Sequence, residues 1–88
     1  MPLAEWITDT LNATLRPTRL IVTDESEQHR GHDGWREGGE THFRIDIVSE
    51  AFIGKSRIAR HRLVNEAVKG AFERGLHALA IAAKAPGE

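Results

Sequence analysis

The 88-residue chain contains no cysteine. That excludes disulfides and cysteine-ligated zinc fingers, so any metal must be held by histidine, carboxylate or a partner's ligands. A cysteine nucleophile is excluded as well, and no serine stands in a G-x-S-x-G elbow. Asp24, Glu25 and Asp33 could pair with histidine as acid and base, but nothing in the sequence sets their geometry, so an enzyme is not expected. Neither sign of charge dominates: the formal net charge is −1, and nucleic-acid binding would need a local basic patch. No run approaches the roughly 18 apolar residues of a membrane span. The opening "MPLAEWITDTL" has an early Glu5 and no basic leader, which argues against a signal peptide and for a cytoplasmic location.

What is present is an ordinary globular balance, 40% hydrophobic and 28% charged residues. The length suits one domain over residues 1–88 with a single modest core, and residues 83–88 are expected to form a flexible tail. Leu3, Trp6, Ile7, Leu11 and Leu15 recur at helical spacing after Pro2, and Pro17 should end that helix. "TRLIVTDE" (18–25) reads as a strand around Leu20, Ile21 and Val22. In "THFRIDIVS" (41–49), Phe43, Ile45 and Ile47 alternate with His42, Arg44 and Asp46, predicting a strand with one buried and one wet face. After a turn at 50–54, Ser56 can cap a helix whose apolar positions include Ile58, Leu63, Val64, Val68 and Phe72. His61 to Arg74 is its firmest part, and 56–60 reads as a separate short turn. Gly75 suits a C-terminal stop. "LHALAIAA" (76–83) reads as a final strand, with His77, Leu79 and Ile81 on one face. The order is α-β-β-α-β, an α+β fold with helices on one face of a three-stranded sheet.

Three of the five histidines fall in "HRGHDGWREGGETHF" (29–43). His29 and His32 form an H-x-x-H pair on a glycine-rich loop, and imidazole suits zinc, copper, iron or nickel. Ordering such a loop costs entropy, so two ligands alone would bind weakly, and a solvated polar loop is the plainer reading. His42 reads as a structural or surface residue. His61, between Arg60 and Arg62, is poorly placed for a cation. His77 opens an apolar strand, where its polar ring must find a partner or an open strand end. "GKSRIARHR" (54–62) gathers Lys55, Arg57, Arg60 and Arg62 where a helix begins. Cations there oppose the helix dipole, which marks either an anion contact or a patch balanced by nearby acids. The "GKS" is not a P-loop, since the motif's first glycine would fall on Ser49.

Taken together, "DESEQH" (24–29), "GGETHFRIDIVSEAFIGKSRIARHRLVNEAV" (38–68) and "GLHALAIAAKAP" (75–86) closely resemble the BolA family, in the family's order and spacing. The resemblance implies a BolA-like fold similar to a type II KH domain, α-β-β-α-β with an extra short helical turn before the long helix. It implies partnership with a monothiol glutaredoxin as a heterodimer sharing a bridged [2Fe-2S] cluster, in iron-sulfur maturation and iron homeostasis. His77, in L-H-A-L, is then one expected ligand. The other is a loop histidine: counting forward from D-E-S gives His29, counting back from E-T-H-F favours His32. The partner's cysteine and glutathione's thiol would complete the set, and no cluster is expected tightly bound to the isolated chain. The resemblance also implies, as an alternative, a DNA-binding transcriptional regulator of stress response and cell shape, contacting DNA through Lys55, Arg57, Arg60 and Arg62. A KH domain clamps nucleotide backbone with G-x-x-G, but here Arg57 stands where the second glycine would be. Neither a membrane nor a small-molecule substrate is expected.

Overall fold

The computed structural model describes residues 2–25 and 41–88. In chain order the elements are α1 (Leu3–Leu15), β1 (Arg19–Asp24), β2 (His42–Val48), a 3-10 turn (Glu50–Phe52), α2 (Arg57–Ala67), α3 (Gly70–Glu73) and β3 (Ala78–Lys84). Leu3, Ile7 and Leu11 lie four residues apart on α1, and all three are buried. The helix stops at Leu15 because Pro17 disfavours helical geometry at the residue before it. Arg16 turns into the left-handed region, φ 45° and ψ 57°, and releases the chain toward β1.

The sheet order is β1-β2-β3. β1 pairs antiparallel with β2, from Arg19 opposite Val48 to Asp24 opposite Phe43. β3 pairs parallel with β2, from His42 opposite Ala78 to Val48 opposite Lys84. A parallel partner requires a crossover, and the 3-10 turn with α2 and α3 supplies it on the face that α1 also covers. Phe43, Ile45 and Ile47 are buried on that face, with Leu20, Val22, Leu79, Ile81 and Ala83 packed against the core. The opposite face carries Ile21, Arg44 and Ala78, all exposed. Ser49 ties four elements together. Its hydroxyl donates to the Leu15 carbonyl at 2.6 Å and accepts from the Ala51 N–H at 3.1 Å, while its own N–H reaches the Lys84 carbonyl at 3.0 Å.

The long helix is divided differently from expectation. Ser56 caps α2 through the Ala59 N–H, so residues 57–67 form one continuous helix rather than a separate turn at 56–60. The break comes later, at Val68 and Lys69, where bonding tightens to i→i−3: Ala71 donates to Val68, and Phe72 to Lys69. Val68 and Ala71 thereby carry the buried face, and Phe72 is left 42% exposed. Ile58, also expected on the apolar face, is 65% exposed because it lies about 120° round the helix from Val64. The glycine stop is as anticipated, with Gly75 at φ 105°. The segment expected to fray is tied down instead. β3 runs through Lys84, Ala85 is buried, and Glu88 returns to Arg60. No helix among the described residues is long and apolar enough to cross a membrane.

Candidate functional site

His77 lies immediately before β3, where the chain leaves the Gly75 turn. Its N–H donates to the Thr41 carbonyl at 2.8 Å, and the next N–H, of Ala78, reaches the same oxygen at 3.1 Å. The backbone is therefore held while the imidazole stays exposed. Beside it stands His42, with ring centroids 5.2 Å apart and planes tilted by 51°. His42 is not on a wet face as its alternation suggests; it is 5% exposed. The Thr41 hydroxyl meets its Nδ1 at 2.9 Å, which compensates a polar ring taken out of water. The His77 ring, in the turn that feeds β3, lies against it.

Both ends of the segment 26–40 meet this end of the sheet. Glu25 donates its N–H to the His42 carbonyl at 2.8 Å, and Thr41 accepts from His77. The Glu25 carboxylate also pairs with Arg44 Nε at 3.2 Å. His29 and His32 lie outside the described residues. Among the described residues no three His, Asp or Glu side chains gather as a metal set. What they offer is one exposed imidazole backed by a buried one, a half-site that fits a metal group only if other ligands join it.

The cations predicted for nucleic-acid contact divide between two surfaces. Lys55, Arg57 and Arg60 line a cleft of about 560 Å³ together with His61, Arg44 from β2 and Lys84 from β3. Arg62 lines an adjoining groove with Leu63, Glu66, Lys69 and Phe72, and Lys55 borders both. Arg60 is also engaged. Its guanidinium holds the Glu88 carboxylate by two bonds, 2.5 and 2.7 Å, and its Nε donates to the Phe52 carbonyl at 3.1 Å. The hydrogen bonds from Arg60, then from the Ala85 N–H, pull the Glu88 carboxyl down to about 2, and Arg60 is correspondingly raised. Arg44 and Lys84 carry no local sequence signal for this cleft, since only the folding of β2 and β3 into one sheet brings them there.

Residues 11–88 match the description "BolA-like protein". The chain belongs to the BolA family. Its fold agrees closely with BolA1 from Arabidopsis thaliana, at a TM-score of 0.87 and 38% identity, covering 100% of this chain and 96% of that one. Among curated relatives, SufE-like protein 1 of Arabidopsis thaliana is 46% identical over 86 residues, 93% of this chain but 23% of that protein. The DNA-binding transcriptional regulator BolA of Vibrio cholerae is 39% identical over 71 residues, 81% of this chain and 63% of the relative. The chain thus spans under a quarter of the SufE-like relative, where a BolA region is one part of a larger protein.

Proposed function

We propose that this BolA-family chain is a cytoplasmic adaptor that pairs with a monothiol glutaredoxin and shares a bridged [2Fe-2S] cluster, acting in iron-sulfur maturation and iron homeostasis. His77 is one ligand, and either His29 or His32 is the other. The observation that carries this reading is the exposed ring of His77 on a backbone fixed by Thr41, at the sheet end where the histidine-bearing segment leaves and returns. An imidazole that costs nothing to uncover, with too few companions among the described residues to hold metal alone, suits a site completed by a second protein's thiolates. Mixed imidazole and thiolate ligation supplies a higher cluster potential than thiolates alone. The role of His42 in this reading is to support the neighbouring ring.

The test mixes the purified chain with a monothiol glutaredoxin, glutathione, iron and sulfide, and follows visible absorption and circular dichroism. The glutaredoxin's cluster spectrum should change on adding the wild-type chain. His77→Ala should abolish the change, as should His29→Ala with His32→Ala. An unaltered spectrum, or wild-type behaviour from both variants, sinks the reading.

A second reading, binding of duplex DNA, is favoured by the exposed cations Lys55, Arg57 and Arg62 and by the regulator from Vibrio cholerae. It requires log affinity to fall linearly with log salt, and a slope shallower by about two in an Arg57→Ala, Arg62→Ala variant.

A further inference from the structure

The cleft beside the free edge of β3 gathers more positive charge than the fold needs. Arg44, Lys55, Arg57, Arg60 and Lys84 line it with the His61 imidazole, and among the described residues no carboxylate does. Five like charges from two strands, a turn and a helix repel one another in a chain whose net charge is −1. Two have ion-pair partners, Arg44 with Glu25 and Arg60 with Glu88, and Lys84 also feels the Glu88 charge. Among the described residues Lys55 and Arg57 have none, and both are exposed. Ser56 caps α2 here, so the unpaired N–H groups of the first turn add to the field.

The geometry points to a ligand site in this cleft for a phosphate-bearing small molecule with several negative charges, a polyphosphate chain being the simplest form. A single carboxylate would leave most of the cations unneutralised, because they are spread from the start of α2 across β3 to β2. The cleft is concave and of small-molecule size, with β3 residues Ile81, Ala82 and Ala83 as its floor. A duplex would also have to engage Arg62 in the adjoining groove, which Lys55 borders too, whereas a small polyphosphate needs only the cations of this cleft. Glu88 is an internal anion for this site: its carboxylate takes the fork of Arg60, the charge-assisted geometry a phosphate would use. Binding therefore competes with Glu88. The site is separate from His77 and needs neither iron nor a glutaredoxin.

The experiment titrates inorganic triphosphate into the isolated chain near 0.1 M salt and follows amide resonances by NMR. Saturable shifts are expected at residues 44, 55–61 and 81–84. Arg57→Ala with Lys84→Ala, both exposed positions that leave the core intact, should weaken binding about tenfold or more, as two charge-assisted contacts are lost. Glu88→Gln should tighten it severalfold by removing the competing carboxylate. Shifts that never saturate, indifference to the double variant, or unchanged affinity in Glu88→Gln would each overturn the proposal. So would a short duplex that shifts the same residues while triphosphate is inert, which would assign the cleft to nucleic acid.

Discussion

Arg60 and Glu88 show how one pair of side chains replaces an expected loose end with a fastened one. The depressed carboxyl of Glu88, at about 2 against an ordinary 4.5, ties folding to proton concentration. Its folded value lies below its unfolded one, so the stabilisation is fully present above about 4.5 and disappears as pH falls through 2. Chemical denaturation of wild type and Glu88→Gln at a series of pH values checks this. Wild type should be the more stable near neutrality, and the two curves should converge at about pH 2. The same substitution thus lowers stability while freeing Arg60 for an anion. Arg16 is a second residue with a local cost. A side chain in the left-handed region is disfavoured, and Arg16 adopts it as the helix C-cap. Arg16→Gly should raise stability by roughly 0.5 kcal/mol, the strain relieved exceeding the added chain entropy, as read from the denaturant midpoint.

At the scale of elements, the break between α2 and α3 is set by what leans on it. Trp6 of α1 lies across Gly70, and a Cβ there would sit 3.1 Å from the ring carbon Cη2. Arg74 holds the same ring from α3's far end, with its guanidinium 5.1 Å from the centroid. Gly70→Ala gains about 1 kcal/mol of helix propensity but must push this ring aside. Crowding of that kind costs roughly 1–3 kcal/mol, so the net effect should be a loss of about 1 kcal/mol. A shift of the Trp6 indole N–H resonance should accompany it, and an unmoved indole would contradict the account. The sequence does carry Ser56 as a helix cap and Gly75 as a stop. It does not show where the helix between them would tighten, because Val64, Val68 and Phe72 fit an unbroken helical stripe equally well. The indole of a distant helix decides that.

Across the whole molecule, one layer of apolar side chains under the sheet carries the stability. Ile45, fully buried on the central strand, stands between Val22 of β1 and Ile81 of β3. Ile45→Ala should cost about 2–5 kcal/mol, a large share of the roughly 5–15 kcal/mol that a domain possesses, and urea denaturation measures it directly. His77→Ala should leave that midpoint almost unchanged, since its ring is exposed, so stability and the proposed cluster partnership separate cleanly.

The sequence by itself determined the order of elements, the alternating strand 42–48 and the helical stripe of Leu3, Ile7 and Leu11, because each rests on contacts with a period of two or about 3.6 residues. The signature around Gly54–Arg62 and His77–Leu79 likewise pointed to the family. Tertiary structure alone decided that β3 runs parallel beside β2, and from that register come the buried His42 next to His77 and the placing of Arg44 and Lys84 along one cleft. It also decided that Ile58 and Phe72 are uncovered while Glu88 is fastened. The physical reason is common to all of these. Local pattern dictates which way a side chain faces on its own element, but burial and charge pairing depend on what another element brings to that face.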